Sequence, residues 1–410
     1  MKIIGIIAEY NPFHNGHSLQ IREIRRRFPD AVIVVAMSGS FTQRGTVAIL
    51  DKWKRAEAAV WHGASLVLEL PAVFATRSAQ YFAEGGVRLL DRLGVVDSLA
   101  FGSERDNLAE LTRLAKETDA NLQSETLKNE LQNGSSYAAA VTESAAPDAA
   151  IRQPNVILAV EYLRAIERFQ AALVPTPLPR FSAGHHDLEI PSEDERPIAS
   201  ASAIRAALAN GNELDALRAV PDDVAVMLAD ARSYSYAKTA RLFRPVLAKL
   251  LTAPADELRT VLGVNEGIEH RLRRASMSSN SYEELVEAVR SKRYPRARIR
   301  RLLLHLLLSL TKEAATRFAE EGPLYARVLA FDDNGRQLLQ AVKERGTIPV
   351  VTKLSHFLST RAMNDRQLSP SQEMLAFDLR ASALASLTTS PVHHPPANAD
   401  FLISPRYSQK

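Results

Sequence analysis

Ile3-Ile4-Gly5-Ile6-Ile7-Ala8-Glu9-Tyr10-Asn11-Pro12-Phe13-His14-Asn15-Gly16-His17-Ser18-Leu19-Gln20 opens the chain, and its reading decides the fold. Ile3 to Ile7 is a continuous apolar run, which fits a strand buried on both faces of a parallel sheet. His17, Ile21, Ile24 and Phe28 then recur at helical spacing, with Arg22, Arg25 and Arg26 on other faces. Val32 to Ala36 is a second β-branched run, and strand, helix and strand within about 35 residues form a βαβ unit.

The alternation continues outward from there. The pattern predicts a helix over Lys52–His62, a strand over Leu66–Leu70, a helix around Ser78–Leu93 and a strand ending at Leu99-Ala100-Phe101. A further helix starts near Asn155 after Pro154, and Ala172-Leu173-Val174 reads as a last strand. This is a doubly wound α/β domain with a parallel sheet, placed at 1–210. Pro175, Pro177 and Pro179 alternate in a stretch that must run extended. Ser200 to Asn210 is helical again, and 211–388 reads as a mainly helical region rich in Leu and Arg. Pro391, Pro395, Pro396 and Pro405 mark 389–410 as a loosely ordered tail.

Composition narrows the function classes. The chain has 410 residues with a formal charge of +4, so net charge alone does not specify a polyanionic partner. There are no cysteines, which excludes disulfides, thiolate metal sites and thiol catalysis. The apolar start lacks a basic lead-in, and Leu302 to Leu310 is broken by His305 and far short of the ~20 residues of a bilayer span. A cytoplasmic location is the expectation.

His14-Asn15-Gly16-His17 sits where the first strand turns into the first helix. Ligands of open parallel sheets bind beyond the carboxyl ends of strands. A helix N-terminus there offers free N–H groups and partial positive charge, which suits phosphate. Gly16 lets a ligand approach the backbone. His14 and His17 can donate hydrogen bonds to charge developing on a leaving pyrophosphate. The same spacing also fits two surface histidines or a His-x-x-His metal pair, although no third ligand follows at clear helical spacing.

The His-x-Gly-His pattern resembles the HIGH motif of the nucleotidyltransferase superfamily. Taken with Ser38-Gly39, Gln43-Arg44-Gly45, Asp51-Lys52-Trp53 with Arg55-Ala56, Leu68-Glu69-Leu70-Pro71, Phe101-Gly102-Ser103-Glu104 and Glu161-Tyr162-Leu163, it resembles the bacterial tRNA(Met) cytidine acetate ligases. The resemblance implies a nucleotidyltransferase α/β domain. It also implies a reaction in which acetate and ATP give acetyl-adenylate and pyrophosphate. The acetyl group then passes to the wobble cytidine of elongator tRNA(Met), forming N4-acetylcytidine. Mg²⁺ would accompany the ATP phosphates. Such chemistry needs orientation and charge stabilisation and no protein nucleophile.

The resemblance also assigns residues. Ile7, Ala8, Glu9, Tyr10, Asn11, Pro12, Phe13, His14, Asn15, Gly16, His17, Ser18, Leu19 and Gln20 match the strand, loop and helix around the triphosphate. Gly102 leaves room for adenine or ribose. Asn155 matches a ribose or α-phosphate ligand, or caps its helix. Arg180 matches a phosphate partner. Ser202 and Arg205, in Ser200-Ala201-Ser202-Ala203-Ile204-Arg205, match a second phosphate-binding helix start. Lys52 and Arg55 share one helix face, solvated or facing the cleft, and Gln43-Arg44-Gly45 is placed to meet tRNA or cover the site.

Basic charge concentrates in one place. From Arg290 to Arg301, seven of twelve residues are basic and none is acidic. Such a cluster repels itself, and RNA phosphate is its natural partner. The tRNA-binding candidates are Lys292, Arg293, Tyr294, Arg296, Arg298, Arg300 and Arg301, with Tyr294 available to stack on a base; a solvated basic helix face is the alternative. A metal role for His185-His186 and His393-His394 is not expected. Two rival functions remain: an adenylyltransferase for a small phosphorylated cofactor, and a non-catalytic RNA-binding protein that kept the nucleotide fold.

Overall fold

The computed structural model describes residues 1–122, 153–180, 190, 196–233, 236–265, 267–359, 361, 368–389 and 396–409. Both histidine pairs and the Ala-rich stretch at 137–150 lie outside them. Five parallel strands come from the N-terminal half: β1 (Ile3–Ala8), β2 (Val32–Ser38), β3 (Leu66–Leu70), β4 (Ser98–Ser103) and β5 (Val174–Pro179). Their order is β5-β4-β1-β2-β3, so the chain reverses direction across the sheet between β1 and β4. Helices α1 (Asn15–Arg27), α2 (Lys52–Trp61), α3 (Ala72–Ala75), α4 (Ala79–Asp91), α5 (Leu108–Leu122), α6 (Pro154–Phe169) and α7 (Ala201–Ala209) cover its two faces.

Side-chain alternation divides the core. Ile33, Val35 and Met37 of β2 join Ile21 and Ile24 of α1, Val60 of α2 and Ile204 of α7 on one face. Val34 and Ala36 join Phe74 of α3, Leu90 of α4 and Val160 of α6 on the other. Continuous apolar strands follow from burial on both sides.

The last parallel strand falls in the proline run, after Ala172-Leu173, where the sequence had placed it. Its register explains the prolines. Pro175, Pro177 and Pro179 lie opposite Leu99, Phe101 and Ser103. Val174 N and Arg180 N donate to Asp97 O and Ser103 O, at 2.9 and 3.1 Å. Even-numbered residues thus donate to β4, and each proline turns its missing donor to the open edge. The strand pairs on one side only, as edge prolines require.

The C-terminal half adds strands to the same sheet. Helices include α8 (Tyr282–Val289), α9 (Arg296–Leu308), α10 (Pro370–Ser386) and α11 (Ala399–Leu402). Within the stretch read as helical, β6 (Ala326–Phe331) pairs antiparallel with β3, and β7 (Val350–Val351) and β8 (Arg406–Tyr407) pair with β6. The tail read as loose is docked where it is described, with Ala399 and Asp400 buried. No described helix is long and apolar enough to cross a membrane.

A buried ionic cluster joins the halves. Lys52 Nζ meets Glu69 Oε1 and Oε2 at 2.8 and 2.9 Å and Asp400 Oδ1 at 2.6 Å. Arg327 pairs with Glu69 at 3.0 Å and Asp400 at 2.5 Å. Two cations and two carboxylates balance, so none is an uncompensated buried charge. Lys52 is therefore held in a buried ion cluster rather than solvated. Asp400→Ala leaves two cations facing one carboxylate and should cost ~3–5 kcal/mol, the usual effect of breaking a buried pair. Urea unfolding of the variant beside the parent checks this.

Candidate nucleotide-binding site

The site lies at the carboxyl ends of β1 and β4, the neighbouring strands where the order reverses. Tyr10 leaves β1 at a left-handed φ of 47°, which swings the chain toward α1. His14 is the N-cap of α1, and its Nδ1 accepts from Gly16 N at 3.1 Å. His17 Nδ1 accepts from His14 N at 3.2 Å. The rings stack with centroids 3.7 Å apart. Both Nδ1 atoms are occupied as acceptors, so each neutral ring carries its proton on Nε2 as a donor.

Electrostatics keep the rings neutral. Burial, then the Arg180 and Arg205 guanidiniums, lowers the His14 pKa to about 3. Burial, the His14 ring and Arg180 push His17 well below the usual range. A Cβ on Gly16 would stand 3.0 Å from His14 Cε1, so glycine keeps room for that ring.

Arginines from two other elements converge on the histidines. Arg205 of α7 donates to Asn11 O at 2.6 Å and to Ser202 Oγ at 3.2 Å. Ser200 caps α7, its Oγ accepting from Ala203 N at 3.1 Å. Arg180, just past β5, pairs with Glu104 Oε1 at 3.0 Å, and Asn155 Nδ2 donates to the same oxygen at 2.5 Å. Gly102 faces open space, since a Cβ there would meet only Gln20 Nε2, at 4.0 Å. Burial lowers the pKa of Arg180 and of Arg205, though both stay cationic at neutral pH.

Other residues of the opening stretch face the protein. Ile7 packs over Gly86 of α4, and Tyr10 and Phe13 are fully buried. Phe13 stacks on His62 at 5.0 Å, which in turn meets Asp223 at 2.9 Å. Asn15 Nδ2 donates to Pro197 O and Arg218 O, tying α1 to the segment around α7. Glu9 Oε1 accepts from Gln43 N at 2.6 Å, and Asn11 Oδ1 from Ile49 N at 2.9 Å.

Arg55, which the sequence left unassigned, is wholly buried. It donates to Glu9 O at 2.6 Å, Ser38 O at 3.1 Å, Leu50 O at 3.1 Å and Gly39 O. One guanidinium thus gathers the ends of β1 and β2 and the loop between β2 and α2. Its place in the Asp51-Lys52-Trp53-x-Arg55 motif was the available signal; its four backbone acceptors were not visible there.

The HIGH Nucleotidyl Transferase family matches residues 1–399. A tRNA(Met) cytidine acetate ligase of Syntrophotalea carbinolica is 38% identical over 400 residues, covering 94% of each chain. The ligase of the same name from Syntrophomonas wolfei is 36% identical over 419 residues and covers 99% of each. The chain belongs to the tRNA(Met) cytidine acetate ligase family of HIGH nucleotidyltransferases. A crystal structure of Thermotoga maritima TmcAL bound with alpha-thio ATP superposes with a TM-score of 0.88 at 28% identity, covering all of both chains.

The basic segment of this ligase-family chain differs from its sequence reading. Glu283 and Glu287 of α8, outside the segment, partner several of its arginines. Arg300 meets Glu283 at 2.7 Å, Arg290 meets Glu287 at 3.3 Å, and Arg296 also pairs with Glu287. Tyr294 is no stacking platform: it is 7% exposed, its hydroxyl donates to Asn265 O at 3.2 Å, and the Arg298 guanidinium lies 4.3 Å from its ring. Arg301 is turned inward, donating to Gln43 O at 3.2 Å. Lys292 and Arg296 are exposed, while Arg293 and Arg298 are half-buried.

The loop of Gln43-Arg44-Gly45 bridges this helix and the site. Gly45 has a left-handed φ of 74°, and a Cβ there would stand 2.6 Å from Arg301 N. Only glycine suits both that conformation and that contact.

His305 of α9 shares the fate of the site histidines. Burial, then Arg301 and Arg77, lowers its pKa to about 3, while its Nε2 contacts Thr76 O at 3.0 Å. Below pH ~6.5 the unfolded chain protonates these three rings and the folded one does not. Their stabilising share is complete above that pH and is lost as pH falls toward the folded values. Each ring contributes up to ~1.4 kcal/mol per pH unit in that window. Urea unfolding between pH 7 and 4 should show this decline, with a shallower slope in His305→Gln even if that variant is less stable throughout.

Proposed function

We propose that this chain activates acetate with ATP and transfers the acetyl group to the wobble cytidine of elongator tRNA(Met). The observation that carries the reading is the pair of neutral imidazoles, each with an Nε2 donor, beside Arg180 and Arg205 at the carboxyl ends of β1 and β4. Family membership and the alpha-thio ATP bound to the Thermotoga relative support it. Full-length coverage of ligase relatives disfavours the shorter cofactor adenylyltransferases.

An acetate oxygen attacks the α-phosphorus, and the bond to the pyrophosphate oxygen breaks. Negative charge grows on the transferred phosphoryl and on pyrophosphate. His14 and His17 donate to it from fixed positions, and Arg180 and Arg205 offset it. Being neutral, the histidines act as hydrogen-bond donors without supplying a proton. The cytidine N4 then attacks the acetyl carbon, the anhydride C–O bond breaks, AMP leaves with that bond's electron pair, and N4 gives up one proton to water. Mg²⁺ would be carried by the ATP phosphates. Lys292, Arg293, Arg296 and Arg298 are the proposed tRNA contacts, and a tRNA substrate places the enzyme in the cytoplasm.

Pyrophosphate release from ATP should require acetate and proceed without tRNA. His14→Ala and His17→Ala should each slow it roughly 10²–10³-fold, the usual effect of losing one donor to developing charge. Near-parental rates in either variant would remove that histidine from the mechanism.

Charge reversal of Lys292, Arg293, Arg296 and Arg298 to Glu should abolish tRNA binding in a filter assay while acetate-dependent pyrophosphate release persists. Parallel loss of both activities in a folded variant would assign the segment to the ATP site instead.

A further inference from the structure

Glu104 holds an oxygen that no described residue uses. Its Oε1 is shared by Asn155 Nδ2 and Arg180 Nη1. Its Oε2 is buried and accepts no hydrogen bond from any described residue. A carboxylate oxygen withdrawn from water without a donor is destabilising, and such groups occur where a ligand completes them. Glu104 follows β4 directly, two residues after Gly102. Beside it Gly102 opens onto free space, bounded by Gln20.

The missing partner must be a donor. Phosphate oxygens are acceptors and carry the same charge as the carboxylate, so the triphosphate is excluded. A nucleotide offers hydroxyls on its ribose and an amine on its base. Arg180, bound to the other oxygen of Glu104, is one of the cations assigned to phosphate. The nucleotide portion adjoining the α-phosphate is the ribose; the base lies one unit further away. We propose that Glu104 reads the ribose, its Oε2 accepting from a ribose hydroxyl while its Oε1 holds Asn155 and Arg180 for the phosphates. The inference rests on the ATP reading of the site. Charged carboxylates fill this ribose-binding role in other doubly wound folds, from a different position in the chain.

Calorimetric titration of the full chain with ATP, 2′-deoxyATP and 3′-deoxyATP, without acetate or tRNA, tests it. The parent should bind ATP more tightly than at least one deoxynucleotide by ~10- to 100-fold, the worth of a hydrogen bond to a charged group. Glu104→Gln retains an oxygen for Asn155 and Arg180 but puts an amide NH₂ in place of the free acceptor. Its preference for ATP should fall toward unity, and Glu104→Ala should behave alike. If Glu104 merely tethers Asn155 and Arg180, the variants will weaken all three nucleotides equally and keep the parental ratio, which overturns the proposal. Equal affinity of the parent for all three overturns it as well, while leaving the ATP site standing. Failure of the parent to bind any of them would remove the ATP site and the ribose reading together.

Discussion

The antiparallel pairing of β3 with β6 is held by four buried charges, and the arrangement of the rest follows from them. Glu69 comes from the centre of the sheet, Lys52 from α2, Arg327 from β6 and Asp400 from the last described helix. Burial opposes charge on Arg327, but Glu69 and Asp400 outweigh it and raise its pKa; burial likewise opposes charge on Asp400, but Lys52 and Arg327 lower that pKa. A set so balanced contributes modest net stability, while losing any one member leaves a buried charge uncompensated. It fixes α2 against β3, and α2 carries Arg55. That guanidinium, gathering carbonyls from the ends of β1 and β2, shapes the floor from which the His14 loop rises.

Rigidity at the site suits the proposed chemistry. Donors that stabilise developing charge work best when they need no rearrangement as the reaction proceeds. Both histidines spend their Nδ1 atoms on the backbone of their own turn, and this sets the tautomer. Burial and two guanidiniums then keep the rings uncharged. The same loop that accepts the Arg301 guanidinium gives its Gln43 N–H to Glu9, so the basic helix and the nucleotide turn share a partner.

Local patterns carried the nucleotide-binding half of the fold. Apolar runs of strand length, alternating with amphipathic helices, located β1 to β4 within a few residues; of the motif positions, Asn155 and Arg180 meet on Glu104, and Arg180 and Arg205 both act on His14. Three features escaped because long-range partners decide them. β5 lies in a proline run whose strand character depends on having one neighbour. β6 is six residues inside a helical region, and its pairing with β3 leaves no local trace. The charges of Arg290 to Arg301 looked unopposed because Glu283 and Glu287 precede the window, and Tyr294 looked available because its burial depends on Asn265 and Arg298.

The separation of β3 from β6 bears on how the molecule is made. About 260 residues lie between Leu70 and Phe331. At ~5–20 residues per second of synthesis, roughly 13–50 s pass after β3 is complete before its partner exists. Through that interval Leu66 to Leu70 presents an unpaired edge, and Glu69 has neither Arg327 nor Asp400 beside it. A lone acidic side chain in an apolar strand discourages neighbouring nascent chains from adding to that edge. Glu69 and Lys52 are thus in the chain long before Arg327 and Asp400, the members of the ion cluster that bring the second half onto β3.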